Sequence, residues 1–197
     1  MAKAAIEAET ETFIVFGSQA EANPSDNLIK EEILRECDSI YGQTKSNLSL
    51  KLHSAFEGKS TRLVWARIFS VYGPKDHEDS LVSIAIEHAR RNKALTINAP
   101  TRIWSFLYIS DFVKAIESII CNIGIESVVN IGNPNLFKLQ DLAEMISGEF
   151  RFSQDAMDSK SYIPELSKLG NIGWGPKVAL QTGINITKEW AEVNLPL

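Results

Sequence analysis

Apolar runs and helical patterns alternate along the first part of the chain. Residues 12–18 form an apolar run that ends in Gly-Ser, and residues 63–74 form a second, mainly apolar run that ends in Gly-Pro. Runs of this length, closed by Gly, Ser or Pro, are typical of buried strands that lead into loops. Between them, residues 39–56 place Leu48 and Leu52 on one face of a helix. The pattern predicts strand, loop, helix and strand, which indicates an α/β fold.

The rest of the sequence predicts further short elements. Helices are predicted over residues 80–91, over residues 139–150 and near the C-terminus, and strands over residues 95–99 and 128–132. Asp111 lies near the start of another predicted helix, where a carboxylate can cap the helix and interact with its dipole. Residues 2–11 resemble the end of a helix. Residues 24–38 are polar and predict a loop with a short charged helix.

Composition and charge narrow the classes of function. The 197 residues are 44% hydrophobic, which is enough for one globular core. The formal net charge of −5 and the lack of a basic run argue against binding to nucleic acid or to an anionic membrane. No apolar stretch approaches the length of a transmembrane helix, and the N-terminus has no signal-peptide pattern. We therefore expect a cytoplasmic protein that does not bind membranes.

The cysteines and histidines indicate no metal site. Cys37 and Cys121 are far apart and form no CxxC motif, so we expect two unlinked thiols in a reducing cytoplasm. His53, His77 and His88 do not have the spacing of metal ligands, and we predict that all three are surface residues.

Tyr41 and Lys45 are the first candidates for chemistry. They are four residues apart on the predicted helix, so their side chains lie on one face and one turn apart. An ammonium group beside a phenol favours the phenolate, and such a Tyr can exchange a proton with a carbinol or carbonyl. By itself the pair fits an ordinary amphipathic helix with a surface Lys better. The segments on either side favour the catalytic interpretation of the pair.

The order of a strand, a loop with Ser18, a helix with Tyr41 and Lys45 and a second strand resembles the extended short-chain dehydrogenase/reductases. These are the NAD(P)-dependent epimerases, dehydratases and reductases of nucleotide sugars, and the likeness covers their second half. Residues 67–74 match the family stretch Arg-x-Phe-Asn-Val-Tyr-Gly-Pro, with Ser70 in place of Asn. The resemblance implies that Tyr41 is the general acid/base, that Ser18 hydrogen-bonds the same substrate oxygen, and that Lys45 promotes the phenolate. It also implies that Tyr41 and Lys45 contact the cofactor, NAD or NADP.

The same resemblance implies that the chain has two regions with different roles. Residues 1–75 would form a partial Rossmann-like, doubly wound parallel sheet that lacks its N-terminal strands. Residues 76–197 would form mainly a small α/β region that binds the nucleotide sugar and is interleaved with the first. Arg67, Tyr72 and Arg102 are the substrate-side candidates, and the guanidinium fork of Arg67 or Arg102 could pair with a diphosphate. The helix that carries Tyr41 is also a candidate homodimer interface.

The loop after Ser18 bears on the reaction. Dehydratases of the family have an acidic pair, or one Glu, at the two positions after this Ser or Thr. Here those positions are Gln19 and Ala20, and Glu21 is one place late. This favours an epimerase or ketoreductase over a 4,6-dehydratase. The sequence Gly-Ser-Gln-Ala-Glu itself resembles the corresponding segment of the 4-keto-sugar reductases of CDP-sugar pathways.

A glycine-rich turn for the cofactor pyrophosphate is absent from this sequence. None of its eleven glycines falls in Gly-x-Gly-x-x-Gly or Gly-x-x-Gly-x-x-Gly. Gly170, Gly173 and Gly175 form the nearest cluster, and they are predicted to lie in a loop. The alternative hypothesis is therefore a truncated or degenerate relative without autonomous catalysis, which acts as a binding or interaction protein.

Overall fold

The protein has the mixed α/β architecture that the sequence predicts. The computed structural model describes residues 1–25, 27–33, 37–146, 148–152 and 160–196. Its helices are α1 (Ala2–Glu7), α2 (Ile40–Phe56), α3 (Leu81–Arg90), α4 (Ile109–Cys121), α5 (Leu139–Ile146), α6 (Ser167–Asn171) and α7 (Leu180–Asn194). Its strands are β1 (Thr12–Ser18), β2 (Leu28–Ile29), β3 (Arg62–Ile68), β4 (Val71–Tyr72), β5 (Leu95–Ile97), β6 (Ile103–Trp104), β7 (Leu107–Tyr108), β8 (Ser127–Ile131), β9 (Phe137–Lys138), β10 (Phe150–Phe152) and β11 (Ile163–Pro164).

Three parallel strands form the main sheet of the protein. Its order is β1-β3-β8, with Ser18 level with Ile68 and Ile68 level with Ile131. The central strand β3 is deeply buried, and Trp65 is 0% exposed. In the described part of the chain β1 is an edge strand, and Phe16 is 47% exposed. The burial that the apolar sequence of β1 predicts was therefore wrong, because burial depends on neighbouring strands as well. The edge position agrees with the resemblance, which implies a sheet that lacks its N-terminal strands.

The second predicted strand is divided in two. β3 ends at Ile68, and Ser70 has a φ of 34°, which lies in the left-handed region that a residue with a Cβ seldom adopts. The chain then continues as β4, which pairs with β7 instead of the main sheet. β4 and β7 belong to a second core, in which Tyr72 and Phe106 pack with α3, α5 and α7. Because β8 pairs with β3, residues of the predicted second region complete the sheet of the first.

Three local predictions need correction. The helix predicted over residues 139–150 ends at Ile146, and Phe150–Phe152 forms β10 beside β5; residue 147 lies outside the described residues. In residues 24–38, Leu28–Ile29 pairs with β11, and no helix occurs at the described positions, whereas positions 26 and 34–36 lie outside them. Asp111 does not cap α4: its carboxylate accepts the backbone N–H groups of Lys177 (3.1 Å) and Val178 (2.9 Å) and ties a distant loop to the helix.

No helix in the described ranges is both long and apolar enough to span a membrane.

Candidate active site

Ser18 ends β1 and starts a tight turn. Its Oγ accepts the N–H of Ala20 at 3.2 Å, while its own N–H donates to Glu21 Oε1 at 2.7 Å. This reciprocal pair is a capping box over the short 3₁₀ helix Gln19–Glu21. The Ser18 hydroxyl proton is left available, because the capping interaction uses only an oxygen lone pair. The position agrees with the general rule that ligands of open α/β sheets bind beyond the carboxyl ends of strands.

Helix α2 begins directly against this turn. Ser39 caps it by accepting the N–H of Gly42 at 3.0 Å. A Cβ at position 42 would overlap the carbonyl oxygen of Ala20, so glycine allows the close approach of helix and turn. Tyr41 lies on the neighbouring position and its side chain is 57% exposed. The fold thus brings the Tyr41 end of the helix to the Ser18 turn.

Lys45 links α2 to the end of β1. Its Nζ donates to the carbonyl oxygen of Phe16 at 2.8 Å and lies 5.8 Å from the centroid of the Tyr41 ring. This distance is within the range of a cation–π contact. Lys45 therefore contacts the aromatic face of Tyr41, one turn away, as the spacing in the sequence predicts.

A buried ion pair between Glu21 and Arg67 holds the Ser18 turn in place. Glu21 is 1% exposed and accepts hydrogen bonds from Trp65 Nε1 at 3.0 Å and from Arg67 Nε at 3.1 Å. Arg67 Nη1 also donates to Asn130 Oδ1 at 3.1 Å. Burial lowers the pKa of Arg67, and the charge of Glu21 opposes this shift. A carboxylate so enclosed is stable only with such partners, and they fix the turn that carries Ser18.

Arg67 and Tyr72, two of the predicted substrate-side residues, lie in the interior. Arg67 is 0% exposed, and each of its three guanidinium nitrogens is bonded to protein. Tyr72 is 2% exposed and its hydroxyl donates to the carbonyl of Leu180 at 3.1 Å, and burial raises its pKa. Their burial argues against direct contact with a substrate, and their assignment to the substrate side stays a prediction. Nothing in the local sequence indicated that these two polar side chains face the interior.

Arg102, the third candidate, is half-buried and lies near Tyr162. Burial raises the pKa of Tyr162, and the positive charge of Arg102 opposes the rise. Within the described residues, the buried Nε of Arg102 has no hydrogen-bond partner. Arg102 is therefore still a candidate for binding an anion.

Gln19 and Ser70 extend the polar surface next to Ser18. Ser70 Oγ donates to Gln19 Oε1 at 3.1 Å and accepts a hydrogen bond from the indole of Trp104. Trp104 in turn meets Tyr162 edge to face, with ring centroids 5.5 Å apart. Sequence reasoning identified Ser70 only as a departure from the family pattern. Its two side-chain partners, Gln19 and Trp104, come from separate segments, and nothing in their local sequence marks them.

The described ranges contain no group of three His, Cys, Asp or Glu side chains suited to a metal ion. For a dinucleotide, the chain offers Tyr41 and Lys45 at the carboxyl end of β1 but no glycine turn for the pyrophosphate. The residues present therefore fit one end of such a cofactor only.

Comparison with protein families gives a match to the NAD dependent epimerase/dehydratase family over residues 1–132. The chain belongs to this family. The matched region includes Ser18, Tyr41 and Lys45, and it ends just after β8.

Among curated relatives, the chain is 35% identical over 135 residues to UDP-glucuronic acid decarboxylase 3 of Arabidopsis thaliana, which covers 63% of this chain and 39% of that protein. It is 32% identical over 142 residues to UDP-glucuronic acid decarboxylase 1 of Xenopus tropicalis, covering 66% of this chain and 33% of that protein. The chain thus spans between one third and two fifths of the length of these relatives.

Solved structures show the same fold over almost the whole chain. MoeE5 in complex with UDP-glucuronic acid and NAD matches 98% of this chain and 69% of its own, with a TM-score of 0.83 and 22% identity. UDP-glucose 4-epimerase from Thermotoga maritima, with UDP-glucose, matches 99% of this chain and 68% of its own, with a TM-score of 0.84 and 20% identity. At this identity the likeness establishes the Rossmann-like fold.

Proposed function

We propose that this chain carries the proton-transfer and sugar-binding half of an NAD-dependent nucleotide-sugar enzyme. The observation that carries the proposal is the placement of Tyr41, which is exposed at the carboxyl end of β1 with Lys45 fixed beside it. Family membership and the relatives' action on UDP-glucuronic acid support the same substrate class. Of the two cofactors expected from sequence, the NAD-bound neighbour favours NAD over NADP.

Three residues of the chain would handle the proton. Tyr41 would exchange a proton with a hydroxyl of the sugar, Lys45 would stabilise the phenolate, and Ser18 would donate its remaining O–H to the same sugar oxygen. When bound, the nicotinamide would supply the hydride chemistry, with Tyr41 and Lys45 on its ribose side. Arg102 would pair with the diphosphate, since it is the substrate-side candidate that is only half-buried and its Nε has no hydrogen-bond partner among the described residues.

The reaction itself has several candidates within one class. The loop after Ser18 favours an epimerase or a 4-ketoreductase, because Gln19 and Ala20 provide no second acid/base. The relatives add decarboxylation of a UDP-sugar acid. All of these reactions would use the same residues to hold and deprotonate the sugar. The division into residues 1–75 and 76–197, and dimerisation through α2, where Ile40 is 83% exposed, belong to the same proposal.

The second candidate function is a relative without autonomous catalysis that binds a nucleotide sugar or another protein. Two observations favour it: the absence of a glycine turn, and the position of β1 at the edge of the sheet with Phe16 exposed. An edge strand presents unpaired N–H and C=O groups and can pair with another chain.

Calorimetric titration of the chain with NAD, NADH and NADPH, followed by UDP-glucuronic acid and UDP-glucose, tests the second candidate. We expect weak or no cofactor binding by the chain alone, and light scattering should detect self-association through β1. Micromolar cofactor binding by a monomer would exclude the non-catalytic alternative.

Tyr41→Phe tests the catalytic role wherever turnover is measurable at saturating NAD. The substitution removes the proton donor and keeps the ring, so turnover should fall by about 10²–10⁴-fold while binding of the UDP-sugar is nearly unchanged. Turnover within about twofold of the wild type, well short of this general acid/base contribution, would remove Tyr41 from the catalytic role. Tyr108→Phe, a change at a buried tyrosine of β7 that the proposal does not use, serves as the control.

A further inference from the structure

The amino end of the sheet contains a second polar cluster, which the proposed function does not use. His53, on the last turn of α2, faces Ser127, the first residue of β8, and the two come from segments 74 residues apart. Val64 is level with Ser127, whereas Ile68 is level with Ser18. Four residues of strand separate the two levels by about 13 Å, so this cluster is distinct from the Tyr41 site.

The hydrogen bonds of His53 fix the roles of its two nitrogens. Nδ1 lies 2.8 Å from the carbonyl oxygen of Ser49, and a carbonyl can only accept, so Nδ1 carries the hydrogen. In the neutral ring Nε2 is then an acceptor, and it lies 3.1 Å from Ser127 Oγ. A serine hydroxyl bonded to an imidazole, with the imidazole oriented by a third group, is the general arrangement of an activated nucleophile.

The backbone of Ser127 supports this interpretation. Its φ of 61° lies in the left-handed region, which is unfavourable for a residue with a Cβ and is concentrated at functional sites. Glycine would fit the same conformation without strain, so the choice of serine here calls for an explanation.

The surroundings provide room for a ligand. His53 and Ser127 both line an open depression of about 830 Å³. Leu50, Phe56 and Ile123 contribute apolar surface to it, and the exposed Lys59 contributes a cation. The carboxylates of Glu57 and Glu126 also line it. The apolar part of this lining suits a small, uncharged ester with an apolar acyl group.

We propose that Ser127 and His53 form a nucleophile–base pair that reacts with small carboxylic esters. Ser127 Oγ forms a bond to the acyl carbon while His53 Nε2 takes its proton, and the bond from the acyl carbon to the alcohol oxygen breaks as that oxygen receives the proton from Nε2. Water then attacks the acyl-serine, loses a proton to Nε2, and releases the acid as Ser127 recovers its proton. The reaction needs no oxidant and no cofactor.

The test uses the whole chain, an alkyl fluorophosphonate and p-nitrophenyl acetate. We expect labelling at Ser127, located by peptide mass spectrometry, and hydrolysis of the acetate above the buffer rate. His53→Gln, which keeps a side chain of similar size and polarity, should slow both by about 10²–10⁴-fold, the contribution typical of a general base. The exposed Ser60, in the same depression, is the matched control, and Ser60→Ala should change neither rate.

Ser127→Gly keeps the test decisive if other variants fold poorly. Glycine accepts the positive φ, so the melting temperature should equal or exceed that of the wild type while labelling and hydrolysis are lost. Labelling of Ser127 no faster than that of Ser60, or a rate unchanged in His53→Gln, would overturn the proposal. Neither readout depends on NAD or a nucleotide sugar, so failure of the proposed function would leave this result unaffected.

Discussion

At the carboxyl end of the three-stranded sheet, Tyr41 stays open to solvent above a buried ion pair, whereas at the amino end His53 and Ser127 bond to each other. At the carboxyl end, buried residues hold the site in place, because Arg67 and Glu21 are enclosed and fix the Ser18 turn. At the amino end, side chains nearer the surface hold the elements together. There, Arg62 donates to carbonyls at the end of α4 and to Thr12.

The difference indicates how each end should respond to substitution. At the carboxyl end, the residues that hold the site are buried charges, whose removal leaves an unpaired charge in the interior. At the amino end, the bonds are half-exposed and join elements that are already packed. The same number of lost hydrogen bonds should therefore destabilise the protein more at the carboxyl end.

The largest effect is expected for Arg67→Leu. The substitution leaves Glu21 buried without its cationic partner, which should lower the free energy of unfolding by about 3–5 kcal/mol. Urea unfolding would measure this change, and the double variant Arg67→Leu/Glu21→Leu should recover part of it. As a control, Lys114→Ala removes an exposed pair with Glu117 and should cost about 0–1 kcal/mol. A single variant no less stable than the control would contradict the role given to the ion pair.

Arg62→Leu tests the amino end. It removes donors to the carbonyls of Ile119, Asn122 and Ile125, so the free energy of unfolding should fall by about 1.5–3 kcal/mol, the range for hydrogen bonds to charged groups. Urea unfolding under the same conditions gives the comparison. If Arg62→Leu proves as costly as Arg67→Leu, the two ends do not differ in the way described.

Gly42→Ala tests the contact between α2 and the Ser18 turn. The added Cβ would overlap the Ala20 carbonyl, so the substitution should destabilise by about 1–3 kcal/mol, although alanine favours helices. Gly170→Ala is the matched control, because this glycine lies in α6 with no atom within 4 Å of the added Cβ, and it should stabilise by about 0.5–1 kcal/mol. Thermal unfolding of both variants distinguishes overlap from helix propensity, and equal effects would exclude the overlap.

The smallest effect concerns pH. Burial raises the pKa of Glu31 above its ordinary value of 4.5, although its carboxylate accepts the N–H groups of Asn130 and Lys168. The folded state therefore holds this proton more tightly than the unfolded state. The resulting stability is fully present below pH 4.5 and is lost as pH rises through the folded pKa.

Glu31→Gln should remove this contribution, so the unfolding midpoint of the variant should decline less than that of the wild type as pH rises above 4.5. Urea midpoints measured at several pH values would show the difference. Parallel curves for the two proteins would mean that Glu31 does not titrate differently on folding.

The sequence by itself determined the elements of the first part of the chain, α2 above all, and the candidate proton-transfer residues. Periodicity was sufficient for α2, because a helix is specified by side chains within a few positions of one another. The Tyr41–Lys45 contact followed from helical spacing alone. The order of the segments then indicated the family, which comparison confirmed.

Only the tertiary structure decided which polar residues face inward. Arg67 meets Glu21 across 46 positions and His53 meets Ser127 across 74, so no local pattern distinguishes them from surface residues. His53 was predicted to be a surface residue, and its half-buried contact with Ser127 corrects that prediction. Burial is a property of the assembled sheet and helices, and the sequence specifies it only through the contacts of the whole fold.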